Sequence, residues 1–333
     1  MAAERGRGRV TLRDVALAAN VSTTTVSDSL NGSGSLPVTT RQRVRKIAAE
    51  LGYRPSVAAR SLRNGRTGTL VITMLPSEVD AESLWHVDYF MRVMAGAAIE
   101  ANQRGFLLAV APAHMQLDAA HDGLIAVDPS KEDDLVESAR LRGTPASTVG
   151  RTDSTAASWV DNDWAGVVAD VLDHLERGGS RRPMLITPDS PASYIHSVEH
   201  EFTSWCARRG FADRRSRIPG AFNPAAARAA VRDILDDPDP PDALFVGLDQ
   251  LALAAELAAM DVGLRVPQDL MLVNIGDGAA VALAPVPISV VELHAEEMGR
   301  TAVRMLVDQI EQNAEPGREV VSAHLVVRAS SQR

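Results

Sequence analysis

The sequence predicts an α/β protein in which three short N-terminal helices precede a body of two doubly wound parallel sheets. Apolar residues recur at helical spacing through residues 11–52, whereas short apolar runs alternate with helical stretches from Thr69 onward. The charge also changes sign along the chain. Residues 1–66 hold 12 basic and four acidic side chains, a net charge of +8, and the remainder carries −17. This asymmetry indicates that only the N-terminal head contacts a polyanion.

Composition excludes several classes of protein. The 333 residues are enough for two or three domains, and no apolar run approaches the roughly 18 residues of a membrane helix. No apolar segment follows the N-terminal arginines, so we expect a cytoplasmic protein without a membrane partner. Cys206 is the only cysteine, which excludes an intrachain disulfide and a cysteine-rich zinc site. We expect no metal and no cofactor.

The first two helices are predicted within residues 11–31. Thr11 caps the first helix, and Asp14 three residues later resembles the second half of a capping box. Asn20 interrupts the pattern, and Ser22 caps the second helix. The side chains left to face outward on this second helix are Thr23, Thr24, Ser27 and Asp28.

The third helix is predicted to start at a Thr39 cap, with Gln42 as its partner, and to end at Gly52. A segment with the sequence S-V-A-A-R-S-L-R-N-G follows at residues 56–65. It allows at most two helical turns, which are marginal alone. We therefore expect this linker to order only against DNA or against its copy in a dimer.

The body contains two series of strands and helices. The first series has strands at 69–74, 106–111, 123–127 and 146–149, with helices near 88–103 and 131–142. The second has strands at 183–187, 243–247, 270–275 and 287–292, with helices near 164–177, 195–209, 224–236 and 249–260. A further helix at 295–312 has one apolar side, which indicates packed core rather than a dimer face. Such sheets bind ligands beyond the carboxyl ends of their strands, here in a cleft between two lobes.

An ordered set of motifs covers residues 10–63: V-T-L-x-D-V-A-x-x-A-x-V-S-x-x-T-V-S, then N-G, T-R-x-R-V, A-x-E-L-G-Y-x-P and A-x-S-L. It closely resembles the head of the lactose/galactose repressor family, and residues 68–333 resemble, more weakly, the family's sensor body. The landmarks of the body are D-G-L-I-A-V-D-P at 122–129, V-D-N-D at 160–163 and P-Q-D-L-M-L-V-N-I-G-D at 267–277.

The resemblance implies three parts: a helix-turn-helix head at 1–54, a hinge helix and linker at 55–67, and a periplasmic-binding-protein-like body at 68–333. Lobe 1 would comprise about 68–161 and 293–317, and lobe 2 about 162–292 and 318–333. The chain would cross between lobes near 151–163, 289–293 and 317–320. Only about 11 residues, 112–122, connect two strands that the family joins by a longer helix, so lobe 1 is expected to be irregular there.

The family's function implies a DNA-binding transcriptional regulator, more often a repressor, and not an enzyme. Its operator affinity would be modulated by a small-molecule effector of unknown identity bound between the lobes. A head this small buries little DNA, so a homodimer on a near-palindromic double-stranded operator is expected.

Residue by residue, Thr23 and Thr24 match the positions that begin the family's recognition helix and read bases. Leu62 matches the hinge leucine that wedges into the central base step from the minor groove, with Arg60 and Arg63 holding phosphates. The other candidate DNA-binding residues are Thr11, Ser22, Thr25, Ser27, Asn31, Tyr53 and Arg54.

Asp28 departs from the family, which usually has an arginine there to contact guanine. An aspartate cannot donate to guanine, but it can accept a hydrogen bond from cytosine N4. Asp28 therefore either reads a changed operator base or pairs with a nearby arginine and reads nothing.

Effector-site candidates follow from the same comparison. Four candidates match aligned positions of the family: Arg151, Asp163, Phe222 and Asp249. Three more candidates are Tyr194, Trp205 and Asp277. At three further positions the residue departs from the family: Glu201, Leu248 and Gly276. Glu201 replaces an arginine, Leu248 a polar residue and Gly276 an aspartate, which removes much of the usual sugar-binding set. The effector is then cation-bearing, nucleoside-like or more apolar, or effector control has been lost.

Two rival interpretations stay open. His196, Glu199 and His200 have the H-x-x-E-H spacing of inverted zinc peptidases, although spacing alone is weak support. A solute-binding protein would have a similar body, but it would normally be exported and would not begin with this head.

Overall fold

A computed structural model describes residues 10–31, 36–53, 66–74, 87–112, 120–130 and 133–333. It separates the chain into two units, Met1–Thr67 and Gly68–Arg333. Within the described ranges, no helix is both long and apolar enough to cross a membrane. The predicted hinge helix and the short connection at 112–122 fall largely on residues outside these ranges.

Three helices form the head: α1 (Leu12–Ala19), α2 (Thr23–Asn31) and α3 (Val38–Glu50). The predicted capping box of α1 is present, since Thr11 Oγ1 accepts from the Asp14 N–H at 3.4 Å and the Asp14 carboxylate accepts from the Thr11 N–H at 2.7 Å. Asn20, with φ of 49°, ends α1 in the left-handed conformation. Ser22 Oγ accepts from the Thr25 N–H at 3.0 Å, so the predicted start of α2 is also confirmed.

The predicted cap of the third helix is wrong. The helix begins at Val38, and Pro37 takes the N-cap position without a side-chain hydrogen bond. The Pro37 carbonyl already accepts from the Arg41 N–H at 3.1 Å, which places Thr39 inside the first turn. The three helices close over a small core of Val15, Ala16, Ala19, Val26, Val44 and Ala48.

Lobe 1 of the body is built on a six-stranded sheet in the order β11-β5-β4-β3-β1-β2, with all neighbours parallel. Its strands are β1 (Thr69–Met74), β2 (Leu107–Pro112), β3 (Gly123–Val127), β4 (Ala146–Val149), β5 (Ala157–Asn162) and β11 (Arg318–Val321). Its helices are α4 (Asp88–Gln103), α5 (Asp134–Leu141) and α11 (Ala295–Gln312).

Lobe 2 repeats this plan with the order β12-β10-β9-β8-β6-β7, in which only β12 is antiparallel to its neighbour. Its strands are β6 (Pro183–Pro188), β7 (Arg215–Ile218), β8 (Ala243–Val246), β9 (Met271–Ile275), β10 (Ser289–Glu292) and β12 (His324–Val326). Its helices are α6 (Trp164–Arg177), α7 (Ser193–Arg209), α8 (Pro224–Leu235), α9 (Asp249–Asp261) and α10 (Ala279–Ala282), followed by a 3₁₀ turn at Ala329–Ser331. The predicted fold class, with two parallel-sheet lobes, is confirmed.

The chain passes between the lobes three times: after β5, after β10 and after β11. The third passage was expected near 317–320, and this expectation is wrong. Residues 318–321 form β11 and pair with β5 in lobe 1, so the crossing falls at 322–323 and these four residues do not belong to lobe 2.

Helices α4 and α11 pack with their backbones in direct contact. A methyl group added at Gly96 would overlap the Glu296 carbonyl oxygen, and one added at Gly299 would overlap the Val93 carbonyl oxygen. Only glycine allows this approach. The predicted core helix at 295–312 is therefore core, held by α4 on its buried side.

Gly299→Ala should destabilise the body by about 1–3 kcal/mol, because backbone cannot move aside for the added methyl group as a side chain would. Thermal melting of the full chain checks this. Ala229→Leu, at an exposed position of α8, is the control and should melt within about 1 °C of the wild type. Equal melting temperatures for the glycine variant and the control would contradict the close crossing.

Candidate functional site

The head presents an exposed polar helix start. Thr11, Ser22, Thr23 and Thr24 are exposed, and Val26 on the opposite side of α2 is fully buried. Thr25, Ser27, Asp28 and Tyr53 are half-buried. The side chain of Asn31 lies outside the description, as do the predicted DNA-contacting residues Arg54, Arg60, Leu62 and Arg63. The first turn of α2 is thus accessible to a DNA groove, while the buried side of α2 packs in the core of the head.

The head also exposes basic side chains. Arg13 of α1 and Arg43, Arg45 and Lys46 of α3 are exposed. Arg45 also donates from Nε to the Ser29 carbonyl at 3.1 Å, which joins α3 to the second half of α2. Phosphate and base contacts require exposed cations and an exposed helix start, and this head has both.

The body contains a cavity of about 730 Å³, its open mouth included, at the carboxyl ends of strands from both sheets. Residues of lobe 1 and lobe 2 both line it. Its aromatic side chains are Tyr89, Phe90, Trp164, Tyr194 and Phe222. Its acidic side chains are Asp128, Asp161 and Asp249. No Lys, Arg or His belongs to its described lining.

Five of the ten predicted effector residues line this cavity, namely Tyr194, Phe222, Leu248, Asp249 and Gly276. Arg151 lies beside it rather than in its wall. The Arg151 Nε donates to Asp161 at 2.8 Å, and its guanidinium sits 5.2 Å from the centre of the Trp159 ring. That cation is already paired.

The other four predicted effector residues do not line the cavity, because their side chains have other partners or other surroundings. Asp163 accepts from the Gly166 N–H at 3.3 Å and caps α6. The buried Trp205 donates from its indole to Asp173 at 2.8 Å. Asp277 pairs with Arg92 at 2.5 Å. Glu201 is half-buried on α7, outside the wall.

Among the lining residues that sequence reasoning missed are two acids, Asp128 and Asp161, and two aromatic residues with a polar atom, Tyr89 and Trp164. Asp128 directly follows β3, and Asp161 lies near the end of β5, so the rule that ligands bind at carboxyl ends of parallel strands was a usable signal. The two aromatic residues stand at the starts of α4 and α6. Nothing in their local sequence separates them from core residues.

Burial controls the electrostatics of the cavity. Desolvation, with the Asp161 charge added, raises the pKa of Asp128 to about 8. Desolvation also raises the pKa of Asp249 to about 6, against the hydrogen bond from Asn274. The pKa of Asp161 is raised by burial too, although bonds from Trp164 and Arg151 oppose the shift. In this cavity, a charged carboxylate without water or a cation beside it costs free energy.

The two lobes touch at two places beside the cavity. Arg92 of α4, in lobe 1, pairs with Asp277, which follows β9 in lobe 2. The Ser193 N–H at the start of α7 donates to the Pro129 carbonyl after β3 at 2.8 Å, and Ser130 forms a bridge with Ala192. These contacts join the two lobes beside the cleft.

The H-x-x-E-H stretch gives no support to the peptidase interpretation. Arg217 donates two hydrogen bonds of 2.8 Å to Glu199 and lies 3.4 Å from His196 Nδ1. This arginine lowers the pKa of Glu199 and occupies the carboxylate that would serve as base. Over the described part of the chain, no group of three or more His, Cys, Asp or Glu side chains is placed to hold a metal ion.

Two family models match this chain. One, described as bacterial regulatory proteins of the lacI family, matches residues 11–56, which contain all three helices of the head. The other, described as a periplasmic binding protein-like domain, matches residues 172–331. The chain thus combines a lacI-family helix-turn-helix head with a periplasmic-binding-protein-like domain. This is the combination of a DNA-binding transcriptional regulator.

Relatives that match this chain over nearly their whole length are transcriptional regulators. The HTH-type transcriptional regulator CelR of Thermobifida fusca is 29% identical over 97% of this chain and 99% of CelR. A solved complex of a transcriptional regulator CelR with cellobiose has 28% identity and a TM-score of 0.71, covering 97% of this chain and 100% of that one. The lac repressor dimer bound to operator and the anti-inducer ONPF shares the fold, with a TM-score of 0.84 at 22% identity over 98% and 100% of the two chains.

Asp128→Asn should stabilise the protein at high pH. The folded protein keeps the Asp128 proton up to a pKa of about 8, whereas the unfolded chain releases it near the ordinary value of 3.8. Raising the pH between these values therefore removes stability from the wild type only. Melting curves are recorded from pH 5 to pH 9. Over this range the melting temperature of the variant should rise by at least about 2 °C relative to that of the wild type, which corresponds to about 1 kcal/mol.

The matched control is Asp170→Asn, which changes an exposed carboxylate on α6. Its melting temperature should follow that of the wild type at every pH. Parallel curves for Asp128→Asn and the wild type would mean that Asp128 is not a buried acid.

Proposed function

We propose that this protein is a sequence-specific repressor that binds a near-palindromic DNA operator as a homodimer and senses a small molecule in the cleft of its body. The observation that carries the proposal is the exposed start of α2, Ser22 to Thr24, within residues 1–66, whose net charge is +8. Residues 67–333 carry −17 and contain the cavity between the lobes. Attraction to phosphates is thus confined to the head.

The chemistry of α2 suits base recognition. Threonine hydroxyls hydrogen-bond to base edges, and threonine methyl groups contact the thymine methyl group. Thr23 and Thr24 are the exposed threonines of the first turn, and the capped start holds them in a fixed direction. Asp28 lies one turn further on and is half-buried. We assign it to a cytosine of each half-site.

The dimer is supported by apolar side chains on the surface of lobe 1. The edge strand β2 exposes 64% of Leu107 and 44% of Val110, and α4 exposes Met91 and Ile99. The lac repressor dimer, whose fold this chain shares, is a two-copy assembly on operator DNA. A second copy of this chain is the occupant that would cover this edge and place two heads on one operator.

The sensor is the cleft. Its walls come from both lobes, and the Arg92 pair and the Ser193 hydrogen bond hold those lobes together across it. A ligand that binds closed lobes more tightly than open ones shifts the equilibrium between them by its difference in affinity. A transcriptional regulator CelR was solved in complex with cellobiose, which supports a small-molecule ligand for this chain as well.

Selection from random duplex DNA tests the proposed function. The full chain in moderate salt should enrich a near-palindrome, with binding that falls steeply as salt rises, because phosphate neutralisation releases counterions. No preference over random DNA would overturn the proposal.

Asp28→Arg is the second arm of this selection. Because an arginine donates to guanine and an aspartate accepts from cytosine, the preferred base at one position of each half-site should change, with discrimination of about 5- to 150-fold. An unchanged sequence preference would show that Asp28 reads nothing, while leaving recognition by Thr23 and Thr24 in place.

Leu107→Glu should convert the dimer to a monomer, since a charge on the edge strand cannot be buried against a second copy without a partner. Light scattering after gel filtration measures the mass, and operator affinity should fall with it. The control is Leu141→Glu at the end of α5, where 72% of the leucine is exposed outside the proposed interface. A dimer that survives Leu107→Glu would place the interface elsewhere.

A further inference from the structure

The cavity has an unbalanced charge. Three carboxylates line it, and its described lining includes no basic side chain. Arg151, beside the wall, is paired with Asp161 at 2.8 Å. Arg92 is likewise bound to Asp277. The cations near the cavity are therefore already neutralised by carboxylates other than Asp128 and Asp249.

Asp128 is the least satisfied of these acids. Only 9% of the residue is exposed, and it lines the cavity at the end of β3. Its backbone N–H donates to the Val149 carbonyl at 2.8 Å, but its carboxylate has neither a hydrogen bond nor an ion pair within the described ranges. A buried carboxylate without a partner costs free energy unless something else supplies one.

Asp249 faces the same cavity from lobe 2. It accepts from Asn274 Nδ2 at 2.5 Å, and no cation pairs with it among the described residues. The carboxylates of Asp88 and Asp277 add repulsion rather than neutralisation. Asp128 and Asp249 thus place acidic side chains on opposite lobes of one cavity.

Aromatic rings complete the site. Tyr89, Trp164 and Phe222 lie in the lining, and Trp164 packs against Tyr194 with ring centres 5.9 Å apart. Rings of this kind attract an ammonium group through the negative face of their π-systems, and the attraction strengthens where water is excluded. The same rings provide apolar surface for the rest of a small molecule.

We propose that the effector is an organic cation, whose charged nitrogen binds at Asp128 while its apolar part packs on the aromatic rings, with Asp249 adding an acidic side chain to the cavity from the other lobe. The inference rests on the proposed function in one respect, namely that the cleft is the effector site. It disfavours carboxylate and phosphate ligands, since the described lining of the cavity offers them acidic side chains and no basic one. It also separates this cleft from one that binds an uncharged sugar.

The experiment compares matched pairs of molecules that differ in charge. Choline is paired with 3,3-dimethylbutan-1-ol, and tyramine is paired with tyrosol; cellobiose is an uncharged reference. Binding to the full chain is measured by calorimetry at pH 8. Each cation should bind at least tenfold more tightly than its neutral partner, and the bound cation should change operator affinity.

Two variants locate the site. Asp128→Asn should weaken binding of choline and tyramine at least tenfold, whereas the exposed control Asp170→Asn should leave it unchanged. Melting in the absence of ligand verifies that Asp128→Asn is folded. Asp249→Asn is a second variant, which tests the other lobe and should weaken binding in the same direction.

The pH dependence gives an independent readout. Asp128 and Asp249 gain negative charge as the pH rises through about 8 and about 6 respectively. Asp161, Tyr89 and Tyr194 also face them, but Asp161 keeps its Arg151 partner and burial raises the pKa of both tyrosines. Choline, whose charge is permanent, should therefore bind more tightly at pH 8 than at pH 5.5.

The outcomes separate the two proposals. If neither cation binds, if the neutral partners or cellobiose bind as tightly, or if Asp128→Asn retains full affinity, the assignment of a cationic effector is overturned. Operator selection without any ligand is unaffected by those results. If instead no duplex sequence is preferred, the proposed function fails whatever the cleft binds.

Discussion

The structure depends on one constraint: the strands of a parallel sheet all end at the same edge. Each lobe has such a sheet, and the three crossings between lobes leave from or arrive at those edges. The carboxyl ends of the two sheets consequently face one cleft, and residues that follow strands, such as Asp128 after β3 and Gly276 after β9, become its lining. Cleft, crossings and closure contacts all follow from this arrangement.

The central parts of the fold could be predicted from the sequence because burial on both faces leaves a clear apolar run. The predicted bounds of β1, β3 and β4 and of helices α4, α6 and α11 agree with the structure. The missed strands β7, β11 and β12 lie at sheet edges, and their sequences R-S-R-I, R-E-V-V and H-L-V are partly exposed. The interior strand β5 was missed because buried polar residues interrupt its run. Its Ser158 is satisfied by bonds with Gln309 and the Gly317 N–H.

The site was predictable only where a residue's position along a strand or helix determines its surroundings. Phe222, Asp249 and Tyr194 do reach the cavity. Trp205 does not, because its indole is used by Asp173, a residue 32 positions away whose proximity no local pattern reveals. Asp128 escaped notice for the converse reason. Asp128 matters because its carboxyl group has no hydrogen-bond or ion-pair partner among the described residues. This can be seen only in the three-dimensional structure, where the neighbouring segments of the chain are placed around it.

The contact between Gly96 and Gly299 has a mechanical consequence. Helix α4 spans 16 residues, or about 24 Å. It carries Tyr89 at the cavity, Arg92 at the lobe contact and Ile99 toward the proposed dimer edge. Because its backbone rests directly on α11, no compressible side chains separate the two helices. We therefore expect the two helices to move as one rigid unit, so that a displacement of Tyr89 at the cavity also displaces Ile99 at the proposed dimer edge.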